Sequence, residues 1–77
     1  MITPAQCRAA RALLNWTLPQ LAEAAKVSVS TINSFELERR QPTAGNLSLI
    51  QSALEAVGVE FIDSDAPGVR LRPRRRK

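Results

Sequence analysis

The chain has no histidine, one cysteine and only three aromatic residues, Trp16, Phe35 and Phe61, in a length of 77. Without histidine, His-based acid–base catalysis and the usual zinc sites fall away, and a lone cysteine cannot build a disulfide framework. Cys7 stands among small apolar residues and is expected to fill core space. There is no nucleophile–base pair and no phosphate loop, so the sequence reads as a non-enzyme that needs no cofactor. No secretory signal and no apolar run long enough to span a bilayer is visible, which points to a cytoplasmic protein with no membrane partner.

What is present suffices for one small fold. Hydrophobic residues make up 44% of the chain, although a domain of this length buries only a modest core. The formal charge of +4 is unevenly placed: of eleven Lys/Arg, five (Arg72, Arg74, Arg75, Arg76 and Lys77) fall in residues 72–77, leaving six against seven Asp/Glu elsewhere. A near-neutral body with a basic end predicts an acidic polymer or surface as partner.

Start and stop signals divide the chain into short helices. Thr3-Pro4 opens a helix that runs to about Leu14, with Cys7, Ala10 and Leu14 inward and Asn15 as a left-handed stop. Thr17 and Gln20 form a capping box for a second helix over about 18–25, with Pro19 in its first turn. Ser28 caps a third helix, expected to last to about Leu37 or Arg39. Thr43 caps a fourth, in which Leu47, Ile50, Leu54 and Val57 recur at spacings of three, four and three, the mark of one buried face. Gly58 ends it. Residues 59–62 and 69–72 then alternate like strands around a turn-rich loop and read as a hairpin, and residues 73–77 are expected to be a disordered basic tail.

The third helix, within Ser28–Leu37, has two unlike faces. Ile32 and Phe35 point inward. Val29, Ser30, Asn33 and Ser34 point outward and carry hydroxyls, one amide and one methyl-rich side chain, with no charge. That surface suits the base edges and methyl groups of a DNA major groove.

The chain resembles the lambda-repressor/Cro-type helix-turn-helix domain, the XRE family, over about residues 5–57. The resemblance is carried by Arg11, Thr17-Leu18-Pro19-Gln20-Leu21-Ala22, Val27-Ser28-Val29-Ser30-Thr31-Ile32, Phe35-Glu36 and Arg40-Gln41-Pro42-Thr43. It implies a mainly α fold: a four-helix DNA-binding domain over residues 1–58, with its motif at 18–37, followed by a hairpin at 59–72 and the tail. It also implies base contacts from Ser28, Val29, Ser30, Asn33 and Ser34. Phosphate contacts are expected from Thr17, Leu18, Gln20, Arg39, Arg40, Thr43 and Asn46, with backbone N–H groups at the start of the second helix able to hold a phosphate. Arg11 and Glu36 match a family ion pair that orients the third helix, here expected to be partly exposed and worth roughly 0.2–1 kcal/mol.

Four positions depart from the family pattern, one of them Val29, which offers no hydrogen bond where Arg or Gln is common. Leu18 replaces a polar side chain. Lys26 stands where Gly is common and would need a positive φ or another turn. Glu38 also stands where Gly is usual, which predicts a longer third helix. The DNA-facing surface is accordingly less basic than is typical, and the arginine tail is expected to compensate along phosphates or in a minor groove.

Val59, Phe61, Val69 and Leu71 exceed what one helix covers, which predicts a homodimer through the strands with recognition helices about 34 Å apart. The expected function is a sequence-specific regulator in the bacterial nucleoid. It would be a dimeric repressor or autoregulator of a palindromic double-stranded DNA operator. The alternative is an antitoxin or anti-activator that works by binding a protein partner, a toxin or an activator.

Overall fold

A hydroxyl begins every helix. In the computed structural model, which describes residues 2–72, α1 spans Pro4–Leu14, α2 Leu18–Ala25, α3 Val29–Glu36 and α4 Ala44–Ala56, followed by β1, Val59–Ile62, and β2, Gly68–Leu71. Thr3, Thr17, Ser28 and Thr43 are the N-caps, each accepting a hydrogen bond from the backbone N–H three residues on. These caps satisfy donors that a helix start otherwise leaves without partners. At α1 and α2 the cap is a full box, completed by Gln6 and Gln20, with Pro4 and Pro19 in the first turn.

The helix ends are equally alike. Asn15, Lys26 and Glu38 adopt left-handed conformations, with φ of 58°, 63° and 60°. In each case the next N–H reaches back five residues: Trp16 to Arg11 O, Val27 to Ala22 O and Arg39 to Ser34 O. Three similar stops therefore keep α1, α2 and α3 short, and the connections between the first three helices are only a few residues long. Glu38 does not extend α3; it takes the left-handed position itself, and the helix stops at Glu36. Lys26 likewise accepts a positive φ where a glycine would be unstrained.

Phe35, Leu21, Ile32, Leu47, Ile50, Leu54, Val59 and Cys7 are fully enclosed and form the centre of the core. Cys7 and Ala10 bring α1 close to its neighbours, while Leu14 packs only at the margin. Val57, expected to continue the inner stripe of α4, follows the helix end as its cap and is 43% exposed. The stripe stops at Leu54 because the chain must leave the helix to bring Val59 inward.

The two strands are antiparallel, with Val59 opposite Leu71 and Phe61 opposite Val69. These four residues share one face, and that face meets the helices of its own chain. Val59 belongs to the core, and Phe61 and Val69 pack against it. Only Leu71, 38% exposed, keeps much of its surface open. The hairpin is thus the lid of the helical core rather than a separate unit, and three of the four residues expected to meet a second copy are covered from within. Gln6 fastens the lid: its amide donates to Ile62 O at 3.2 Å and Gly68 O at 2.9 Å, while its Oε1 accepts the Thr3 N–H at 2.9 Å. The expected basic tail divides at this point. Arg72 belongs to the hairpin, its N–H bonded to Gly58 O and its guanidinium 3.7 Å from Glu60; Arg74, Arg75, Arg76 and Lys77 lie outside the described residues.

Two stability measurements check this account. Replacing Lys26 by Gly removes the left-handed penalty and should raise the unfolding free energy by about 0.5–1 kcal/mol, the relief being partly offset by glycine's greater unfolded-state entropy. A lower urea midpoint would contradict it. Gln6→Met keeps the volume but strands the Thr3 N–H and removes both bonds to the hairpin, with an expected loss of about 1–3 kcal/mol.

Candidate nucleic-acid interface

The outer face of α3 is held in place from the opposite side, by Glu36. Its carboxylate is buried, and Arg11 grips it in parallel, Nε to Oε2 at 2.8 Å and Nη2 to Oε1 at 2.7 Å. The Cys7 thiol donates to Oε2 at 3.1 Å. Arg11 also donates to Trp16 O at 2.9 Å, and Arg8 donates to the backbone carbonyl of Glu36. Three side chains of α1 therefore converge on one residue at the C-terminal end of α3.

The pair is open to water on its Arg11 side only, the Arg11 side chain being 22% exposed. Glu36 is only 3% exposed, so its charge is almost wholly dependent on these donors. The hydrogen bonds it donates to Glu36 push the Arg11 guanidinium further up. Burial, then the bond to Glu36, pushes the Cys7 thiol well above its ordinary range. Cys7 therefore stays protonated, as a donor and not as a reactive thiolate. Arg8 and Cys7 escaped the sequence reading, although Arg8 lies three before Arg11 and so shares its helix face.

With Ile32 and Phe35 buried behind it, α3 turns outward the residues expected to read bases. Val29 is 40% exposed and Ser30 is exposed, while Asn33 and Ser34 are half-buried. Among the described residues, the side chains of Ser30, Asn33 and Ser34 make no hydrogen bond within the chain and keep their full donor and acceptor capacity. Ser28 differs: its Oγ accepts the Thr31 N–H at 3.0 Å and lies 2.8 Å from Thr31 Oγ1. It caps the helix first.

A groove of about 700 Å³ joins this face to the expected phosphate contacts, with Ser30, Thr31 and Ser34 on one wall and Arg39, Arg40, Thr43 and Asn46 on the other. The loop is tied to the helix by its own backbone, since the N–H groups of Arg39 and Arg40 both reach Ser34 O, at 2.8 and 3.4 Å. Thr43 Oγ1 accepts the Asn46 N–H at 3.1 Å, which leaves its own proton free to donate.

The start of α2 is narrower than expected. The Thr17 N–H goes to Gln20 Oε1 and the Gln20 N–H to Thr17 Oγ1, Pro19 has no N–H, and Leu21 bonds back to Thr17 O. Leu18 alone retains an unbonded backbone N–H there, and its side chain packs against the core. The box takes up acceptors, however. The Thr17 hydroxyl proton and the Gln20 amide hydrogens remain, so this surface still offers donors of the kind a phosphate needs.

The family model described as helix-turn-helix, of the lambda-repressor (XRE) type, matches residues 8–62 of the chain. No curated protein matches it.

Arg11→Met tests the grip on Glu36. It leaves a buried carboxylate short of its main partner, and the expected loss is about 2–4 kcal/mol, at the lower side of the range for buried pairs because Arg11 keeps some contact with water. A loss below 1 kcal/mol in urea unfolding would show that the pair behaves like an exposed one.

Proposed function

Since the chain belongs to the lambda-repressor (XRE) type helix-turn-helix family of DNA-binding regulators, we propose that α3 enters the major groove of a specific operator and that the chain acts there as a homodimeric repressor or autoregulator. In this reading Val29, Ser30, Asn33 and Ser34 meet base edges. Asn33 suits adenine bidentately, Val29 a thymine methyl, and the serines either donors or acceptors. Arg39, Arg40, Thr43 and Asn46 hold the adjacent backbone, and the donors of Thr17, Leu18 and Gln20 meet it one turn away.

The observation that carries this reading is the groove itself. In it the uncommitted hydroxyls of Ser30 and Ser34, which this reading assigns to bases, lie beside two arginines and a capping threonine. Positioning and discrimination are then supplied by neighbouring walls of one cleft. The body is nearly neutral, so one copy binds weakly. A palindromic site that engages two copies raises the apparent affinity through effective concentration.

The test is binding to the DNA upstream of the chain's own reading frame, with salt varied. Arg39→Ala and Arg40→Ala should each weaken binding evenly across sequences and flatten the log K versus log salt slope by about one. Asn33→Ala should cost about 1–3 kcal/mol, concentrated at one base pair. If Asn33→Ala and Ser30→Ala discriminate as the wild type does, α3 is not the reader. Sedimentation of the DNA-bound species gives the stoichiometry; one copy per operator would remove the dimer.

A further inference from the structure

Thr31 belongs neither to the buried face of α3 nor to the expected base readers, yet it stands at the meeting point of the helix and the groove. Its N–H is bound by Ser28 Oγ at 3.0 Å, and the two side-chain oxygens lie 2.8 Å apart. The pair has two hydroxyl protons. One lies between the oxygens; the other has no acceptor among the described residues. A hydroxyl that donates while accepting is polarised and becomes a stronger donor in turn. The pair therefore presents one outward donor.

The chemistry of the groove selects what accepts it. Thr31 shares the groove with Arg39, Arg40 and Thr43, and no carboxylate lines it. Two guanidinium groups and a capping hydroxyl with a free proton call for a group that is anionic and rich in acceptors. A base edge is uncharged and mixes donors with acceptors, whereas a phosphodiester offers acceptors only. We propose that Thr31, with Ser28 donating into it, donates to a backbone phosphate held in this groove and so sets the depth at which α3 enters the DNA. Ser28 then serves as cap and relay, not as a base reader. The inference rests on the reading of α3 as the recognition helix.

The probe is a duplex selected from a randomised pool by the wild-type chain. Thr31→Val keeps the β-branched shape and removes the hydroxyl. It should bind about three- to tenfold more weakly, the worth of one hydrogen bond. The loss should be equal on the selected duplex and on each of its single-base variants. The salt slope should stay unchanged, because a neutral hydroxyl displaces no counterion. Thr31→Ser should restore binding. Neutral methylphosphonates placed singly along the backbone should reveal one position at which Thr31→Val loses several-fold less than the wild type does, while at every other position the two lose equally. Each chain is compared with its own binding to the unmodified duplex, so a uniform folding defect of the valine variant cancels from this last measurement.

Wild-type affinity in Thr31→Val, a loss confined to one base pair, or no coupled phosphate position would each overturn the proposal. Asn33→Ala separates it from its premise. If that variant keeps full discrimination, the recognition-helix reading fails and the Thr31 role with it. If it loses discrimination while Thr31→Val binds fully, the role of Thr31 alone is wrong.

Discussion

Glu36 is the constraint on which the orientation of α3 depends. It is a buried carboxylate at the end of a two-turn helix, and burying a charge costs several kcal/mol unless its partners are well placed. α1 supplies those partners from one face: two nitrogens of Arg11, the thiol of Cys7, and Arg8 on the carbonyl of the same residue. The arrangement contributes less to net stability than to uniqueness. A parallel Arg–carboxylate pair fixes direction as well as distance, so α3 cannot rotate about its axis without uncovering the charge. Ile32 and Phe35 hold the helix down; Glu36 determines which residues it turns outward.

The same economy governs the helix starts. A capping side chain answers a backbone donor with an acceptor, and a hydroxyl that has accepted still owns its proton. Thr17, Thr43 and the Ser28–Thr31 pair are all in this state. The residues that terminate the helices' local hydrogen-bonding problem are thus converted into donors on the surface expected to meet phosphate. The prolines and boxes reduce the bare backbone N–H groups at α2 to Leu18 alone. On the proposed reading, that reduction moves phosphate recognition from main chain to side chain at that point.

How legible the fold was differs by level. The four caps and the stop at Asn15 follow from local chemistry and stand where the spacing puts them. The box at Thr3 and Gln6 has the same three-residue spacing as Thr17 and Gln20; it was readable, but its amide's second task, bonding the hairpin, depends on a chain segment 56 to 62 residues away. Glu38 misled because propensity disfavours a left-handed glutamate by about 1–2 kcal/mol, and the tie between the next N–H and Ser34 O outweighs that. Val57 misled for a related reason, one that bears on the hairpin face as well. Periodicity says that a residue is apolar on one side, and it does not say whether its own chain or another one covers that side. The cluster around Glu36 was half visible: Arg11 came from resemblance, whereas Arg8 and Cys7 needed the crossing of α1 over α3.

On the proposed reading, the uncharged outer face of α3 changes how binding energy is divided. Hydroxyls and an amide distinguish bases through paired donors and acceptors, worth about 1–3 kcal/mol for a good bidentate contact, but they release no counterions. On the proposed reading, attraction to phosphate then falls to Arg39 and Arg40 beside the groove and to the cations of residues 72–77. Four of the seven acidic residues, Glu55, Glu60, Asp63 and Asp65, lie from the last turn of α4 through the hairpin loop, and Glu60 is occupied by Arg70 and Arg72. α4 connects these two regions, its start at the groove and its end, about 20 Å away, at the acidic side. At physiological salt that separation exceeds the screening length of about 8 Å, so the acids do little to weaken the groove. Arg39 and Arg40 therefore act locally, beside an α3 face that carries no charge of its own.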